Sequence, residues 1–168
     1  MSLTLVLLGL AGLGVLAQTT WLAGFTLAGA RPDIALIILT FGAHAQGVQR
    51  GQISGFAAGV LEDILSVAPL GFHALVRLAH SAVVGLAHGN LQADPLLTPM
   101  LLVGVATLIK FLTALLTGLV LGLGQVTTGL ELSGAAVELG FNIVAAPILF
   151  GLLRALLRPF LAVRGGYR

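Results

Sequence analysis

The chain has 168 residues, of which 58% are hydrophobic and 8% are charged, and its formal net charge is +2. Soluble domains carry about 25% charged residues, so there is too little polar surface here to cover a water-soluble globule. Cysteine is absent, which excludes disulfides and thiolate metal sites.

Apolar segments separated by polar or turn-forming residues predict about six helices. In chain order these predicted helices span residues 3–21, 33–49, 52–67, 72–88, 96–123 and 135–157. A helix needs roughly 20 residues to cross a hydrocarbon core of about 30 Å. The first, fifth and last segments meet that length, whereas the three between them are short. We therefore expect a single transmembrane domain over 1–168, an all-α bundle of about six spans. Five full spans and one re-entrant helix are the alternative.

The distribution of arginine predicts the orientation, because loops rich in basic residues stay in the cytoplasm. Six spans place both termini on one side of the membrane, where we also expect five arginines: Arg50, Arg154, Arg158, Arg164 and Arg168. The other side holds Arg31, which Asp33 offsets. We therefore expect both termini in the cytoplasm and a basic C-terminal end that contacts anionic lipid rather than nucleic acid.

The third segment carries a stripe of small residues. Gly51, Gly55 and Gly59 recur every four residues, and Asp63 is next in the series. Residues four apart share one helix face, and small residues on such a face let a second helix approach closely. The pattern predicts close packing, either inside the bundle or against a partner. Asp63 must face protein, water or a cation, since a carboxylate in lipid is costly.

The fourth segment contributes Arg77, for which we hypothesise a partner. In the six-span topology Asp63 and Arg77 both lie near the outer end of their helices, joined by the sharp turn at Pro69 and Gly71. Intramembrane charges normally pair, so the hypothesis is an Asp63–Arg77 ion pair, with Glu138 as a further member of the same outer cluster.

We assign no role from the sequence to the other polar residues of these helices. Glu62 lies about 100° around the helix from Asp63, so we do not expect it to share the surroundings of Asp63. Lys110 is expected to be too deep to meet Glu138 directly. The fourth segment also holds histidines, but His88 lies more than about 20 Å along the helix from the first of them, so no metal site is predicted.

Motifs for catalysis are lacking in the sequence. There is no nucleophile–base–acid set, no HExxH motif and no phosphate loop. We therefore expect neither an enzyme nor a bound cofactor.

Two blocks of residues in fixed order carry a resemblance to a known family. The first is Arg31-Pro32-Asp33 at the start of a helix. The second is Gly51-x-x-x-Gly55-Phe56-x-x-Gly59, then Asp63, then Pro69-Leu70-Gly71-x-x-Ala74-Leu75. In this order and spacing the chain resembles the MreD family of bacterial rod shape-determining proteins, and the specific part covers residues 31–77. Glu62 and Ala68 depart from the family pattern.

The resemblance implies a non-catalytic subunit of the elongation complex in the bacterial plasma membrane. Its implied role is to scaffold or regulate lateral peptidoglycan synthesis together with the bitopic protein MreC. The MreB filament and the synthase RodA with its transpeptidase are further implied partners. Residues with implied structural or partner-binding roles are Arg31, Pro32, Asp33, Gly51, Gly55, Gly59, Asp63, Pro69, Gly71 and Arg77.

The family is also similar in fold to the substrate-binding membrane subunits of energy-coupling-factor transporters, which supplies an alternative function. A transporter subunit should contain a ligand-sized cavity with convergent polar groups. An adaptor should instead have a close-packed interior and an exposed groove for a partner helix.

Overall fold

The computed structural model describes residues 2–20, 24, 30–89, 94–122 and 132–162. Its helices in this part of the chain are α1 (Leu3–Thr20), α2 (Ile34–Gln46), α3 (Val48–Leu65), α4 (Phe72–Leu86), α5 (Leu97–Val120), α6 (Leu132–Leu156) and α7 (Arg158–Ala162). The predicted helix ends at residues 21 and 123, as well as Arg164 and Arg168, lie outside the described residues. All six predicted helices are present, and the short α7 was not predicted.

Glycines with a positive φ lie at two helix junctions, and the first of them explains a predicted boundary that was wrong. We predicted that the second helix would continue to residue 49, but it ends at Gln46 because Gly47 adopts a φ of +84°. This left-handed conformation favours glycine. The backbone N–H of Gly47 donates to the carbonyl of Ala43 at 2.8 Å, and α3 begins at the next residue. Gly71, with a φ of +99°, likewise precedes α4.

Aspartates satisfy the free N–H groups at the start of two helices. Asp33 Oδ1 accepts from the backbone N–H of Leu36 at 2.9 Å at the start of α2. Ahead of α5, Asp94 Oδ1 accepts from Leu96 N at 2.7 Å and from Leu97 N at 3.1 Å. Asp94 is exposed, and these backbone N–H groups hold the pKa of its carboxyl below the ordinary value.

Helix α2 is the centre of the bundle. Every residue from Ala35 to His44 is buried, and α1, α3, α4, α5 and α6 all pack against it. The rings of Phe41 on α2 and Phe150 on α6 meet edge to face, with centroids 5.3 Å apart. Protein on all sides explains how a helix of 13 residues remains stable at membrane depth.

Among the described residues, three helices are long and apolar enough to cross a membrane: Leu3–Thr20, Leu97–Val120 and Gly134–Leu156. Their outward faces carry large exposed apolar side chains, as on α5 with Leu101, Leu108 and Leu119. Such a surface suits lipid and not water. The described part of the chain is thus all-helical and has the character of a membrane protein.

Candidate functional site

Asp33 is the centre of a buried cluster of charges at one end of the bundle. Its Oδ2 accepts from Arg77 Nη1 at 2.9 Å and from Lys110 Nζ at 2.8 Å. Its Oδ1 accepts from Gln18 Nε2 at 3.2 Å and from the backbone N–H of Leu36. The carboxylate is almost completely buried and has four donors around it. The cost of removing it from water is thus offset by pairing and hydrogen bonding.

Two further carboxylates extend the cluster in both directions. Glu62 Oε2 accepts from Arg77 Nε at 2.8 Å, and Glu138 Oε1 accepts from Lys110 Nζ. The order Glu62–Arg77–Asp33–Lys110–Glu138 alternates in sign and joins α3, α4, the start of α2, α5 and α6. We call these five residues the ion-pair network. Alternation places each buried cation between two anions, the arrangement that intramembrane charges require.

Neutral polar side chains hold the backbone around Asp33. Asn142 Oδ1 accepts from the Asp33 N–H at 2.8 Å, and Asn142 Nδ2 donates to Thr107 Oγ1 at 3.2 Å. From the opposite side, Gln18 Oε1 accepts from the backbone N–H of Ala35 at 3.2 Å. Helices α1 and α6 therefore fix the position from which Asp33 reaches both cations.

The ion-pair network borders a cavity of about 250 Å³, which we call the vestibule. It lies at the end of the bundle where α1 and α3 end and α2, α4 and α6 begin. Its charged lining consists of Arg31, Asp33, Glu62, Arg77, Lys110 and Glu138, and Gln18 and His73 also line it. Part of the rival prediction, a cavity with convergent polar groups, is therefore present.

Asp63 does not pair with Arg77, and that hypothesis was wrong. Asp63 Oδ2 accepts from the N–H groups of Gly71 at 2.8 Å and Ala74 at 3.2 Å. Asp63 Oδ1 accepts from the N–H of His73 at 2.8 Å and contacts its ring Nδ1 at 3.0 Å. The turn places the free N–H groups at the start of α4 over this carboxylate, a favourable position for an anion.

Glu62 and Lys110, to which we assigned no role from the sequence, both belong to the ion-pair network. The rotation of about 100° between neighbouring helix residues directs Glu62 towards Arg77 while Asp63 faces the start of α4. Lys110 contacts both Asp33 and Glu138, although we expected Glu138 to lie too far outward. The membrane depth inferred from sequence position was misleading for this pair, because both side chains are long and flexible enough to meet although their backbones lie at different depths.

The glycine stripe faces other helices of this chain. A Cβ on Gly59 would lie 2.5 Å from Ala74 Cα, and one on Gly55 would lie 2.5 Å from the carbonyl oxygen of Arg77. A Cβ on Gly51 would lie 2.8 Å from Ala43 Cβ. The stripe therefore packs against α4 and α2, which resolves the two predicted alternatives in favour of internal packing.

The remaining motif residues lie at the two turns beside the vestibule. Arg31 is exposed, and its Nη1 donates to the carbonyl of Gln18 at 3.4 Å. The carbonyl of Pro32 accepts from Gln18 Nε2 at 3.1 Å. At the other turn, the carbonyl of Pro69 accepts from Phe72 N at 3.1 Å. These prolines thus belong to the turns that position Asp33 and the start of α4.

Two histidines, His80 and His88, each contact a backbone carbonyl. His80 is fully buried, and its Nδ1 lies 3.4 Å from the carbonyl of Val76. His88 Nδ1 lies 2.6 Å from the carbonyl of His44. Among the described residues, no group of three or more histidines and acids has the geometry of a metal site.

Sequence reasoning overlooked the two neutral residues that support Asp33. Gln18 and Asn142 are polar side chains within long apolar runs, and both are buried. A buried amide in a membrane helix needs hydrogen-bond partners, so this rule would have marked both positions. It would not have identified Asp33 as the partner.

Comparison with known proteins agrees with the resemblance in the sequence. The family model described as rod shape-determining protein MreD matches residues 1–160 of the 168-residue chain. The sequence has no significant match among the curated proteins or the solved structures. Because the family match extends over nearly the whole chain, the chain belongs to the family of rod shape-determining protein MreD.

Proposed function

We propose that this chain is a non-catalytic membrane subunit of the bacterial elongation complex, which scaffolds or regulates lateral peptidoglycan synthesis. The family match over residues 1–160 carries the proposal. The family implies a role in rod shape determination, is associated with the MreB and MreC system, and is not a known enzyme family. An MreC-like bitopic protein is the proposed direct partner. The MreB filament and RodA with its transpeptidase make direct or MreC-mediated contact.

The packing of the bundle restricts where such a partner docks. Gly55 and Gly59 are covered by α4, so the glycine stripe offers no surface to another protein. Large apolar side chains are instead exposed on other faces of the bundle, for example Leu13 on α1, Phe56 on α3, Leu108 on α5 and Ile148 on α6. A transmembrane partner helix contacts one of these faces in place of lipid, so we expect docking to be local.

Co-purification with the MreC-like protein of the same organism tests this proposal. Four variants, Leu13→Trp, Phe56→Trp, Leu108→Trp and Ile148→Trp, each add bulk to one exposed face without adding charge. We expect the wild-type chain to co-elute with its partner in mild detergent and one of the four variants to lose it. Each variant should also be tested for restoring rod shape to cells that lack the chain.

Failure of the wild-type pair to co-elute, together with normal cell shape without the chain, would contradict the proposal. Retention of the partner by all four variants would contradict docking on these faces. Gly59→Leu is unsuitable as a docking variant, because its side chain would displace the backbone of α4.

The proposed topology is six spans in the plasma membrane with both termini in the cytoplasm. The absence of cysteine makes single-cysteine labelling direct. Val67 lies fully exposed in the α3–α4 turn, and Arg50 is exposed near the opposite end of α3. An impermeant maleimide applied to intact spheroplasts should label Val67→Cys and spare Arg50→Cys. The reverse pattern would invert the topology, and labelling of both would contradict it.

The vestibule favours a second function, that of a small-molecule-binding subunit of a transporter. It has convergent polar groups, as that alternative predicts. Its volume of about 250 Å³ is below the roughly 300–1,000 Å³ typical of drug-sized ligand sites, which disfavours a bulky substrate. Similarity to energy-coupling-factor subunits stays a prediction. Loss of uptake of one solute with normal cell shape in cells lacking the chain would favour the transporter function.

A further inference from the structure

The charges that line the vestibule balance. Within the described residues, three carboxylates, of Asp33, Glu62 and Glu138, oppose three cations, of Arg31, Arg77 and Lys110. An anion or a cation bound alone would therefore add an uncompensated charge to a partly buried site, which is costly. A ligand without net charge avoids that cost.

The lining also has unused hydrogen-bonding capacity of both kinds. Arg31 contacts no carboxylate in the described part of the chain, and its one hydrogen bond there is the long contact to the carbonyl of Gln18. Glu62 and Glu138 each hydrogen-bond to a cation through one oxygen, Oε2 and Oε1 respectively, and the other oxygen of Glu62, Oε1, lies 4.0 Å from His73 Nε2. Their second oxygens have no hydrogen bond to a described residue. The lining of the vestibule thus includes both donors and acceptors.

We propose that the vestibule binds a free α-amino acid as its zwitterion. Arg31 receives the carboxylate, for which a guanidinium offers a two-pronged hydrogen-bonding geometry. The second oxygens of Glu62 and Glu138 receive the ammonium group. The volume equals that of about eight liquid waters at about 30 Å³ each, enough for a compact molecule. This inference goes beyond the adaptor function and does not depend on it.

Thermal unfolding of the purified full-length chain in detergent tests this site. An equimolar mixture of the twenty amino acids is added first, followed by each compound alone, with acetate and methylammonium as single-charge controls. At least one amino acid should raise the Tm with saturation, and neither control should. Arg31→Gln should weaken the apparent affinity at least tenfold, whereas Arg50→Gln, at an exposed arginine distant from the vestibule, should leave it unchanged.

A saturable shift with acetate alone would overturn the zwitterion and leave an anion site. An equal shift in Arg31→Gln would also overturn the proposal, because general stabilisation by excluded solutes acts on both proteins alike. No saturable shift with any amino acid would mean that the vestibule holds water only. None of these outcomes affects co-elution with the MreC-like protein, so failure here is distinguishable from failure of the proposed function.

Discussion

The α3–α4 interface and the vestibule both involve residues of α3 and α4, but they are stabilised in opposite ways. Along the interface, Gly55 and Gly59 contribute no side chain, so the α4 backbone fills the space where a Cβ would be. At the vestibule, Arg77 contributes a long charged side chain that bridges Asp33 and Glu62. One region depends on close van der Waals contact and the other on matched charge.

This difference determines how each region responds to change. Close packing is rigid, so the addition of a single methyl group causes a steric clash. A buried charge network tolerates small displacements but does not tolerate the loss of one member, because its partners remain desolvated and unpaired. Substitutions in the two regions should therefore change the free energy of unfolding by different amounts. They should also differ in whether two substitutions in the same region have an interaction energy.

The largest expected effect is at the centre of the ion-pair network. Asp33→Ala leaves Arg77 and Lys110 without their shared carboxylate, and we expect a loss of about 3–5 kcal/mol in the free energy of unfolding. Denaturation in mixed detergent micelles, followed by circular dichroism, measures it. Asp33→Asn is the control, since it retains a side-chain acceptor for Leu36 but loses the charge. Wild-type stability in Asp33→Ala would refute a structural role for the network.

The next effect is at the glycine stripe. Gly59→Ala introduces a Cβ only 2.5 Å from Ala74 Cα and 2.6 Å from the carbonyl oxygen of His73. Neither backbone atom belongs to a flexible side chain, so we expect a loss of about 3 kcal/mol, at the upper end of overpacking costs. Gly140→Ala, where a Cβ meets nothing within 4 Å, should be neutral or stabilising in the same assay. Equal effects of the two substitutions would contradict the conclusion that close packing at Gly59 causes the loss.

Asp63 provides a smaller effect that is confined to the turn. Asp63→Asn replaces one acceptor oxygen by an NH₂ group, which faces backbone N–H groups at the start of α4. We expect a cost of about 2 kcal/mol from the donors left unsatisfied. Hydrogen exchange should increase at Gly71 and His73 and remain unchanged at the centre of α2. Uniformly faster exchange would instead show that Asp63 supports the whole bundle.

The smallest effect distinguishes two neighbouring acids by their coupling to Arg77. A double-mutant cycle of Glu62→Gln with Arg77→Gln should give an interaction energy of about 1 kcal/mol, since the Glu62 side chain is 21% exposed. The same cycle with Asp63→Asn should give a coupling near zero. Coupling of Arg77 to Asp63 and not to Glu62 would instead support the Asp63–Arg77 ion pair that we hypothesised from the sequence.

Residues of the candidate site were predicted more accurately than their contacts. Asp33, Asp63 and Arg77 were all identified from the sequence, yet the partner hypothesised for Arg77 was wrong. The partners that the structure brings together are 44 residues apart for Asp33 and Arg77 and 77 apart for Asp33 and Lys110. Helix rotation and depth determine such contacts, and neither can be read from spacing within one helix.

Properties that depend on local composition could be predicted from the amino-acid sequence alone. Apolar runs long enough to cross a bilayer predicted the helices α1, α5 and α6, and ordered motifs between residues 31 and 77 indicated the family. Hydrophobicity and backbone conformation act over a few residues, so a single segment contains this information.

Three features are evident only in the folded bundle: the enclosed position of α2, the inward-facing glycine stripe and the charged vestibule beside Asp33. Each of these depends on which helices are neighbours. Buried charges select partners by distance in space, and the chain brings α2, α4 and α5 together only when the whole bundle has packed.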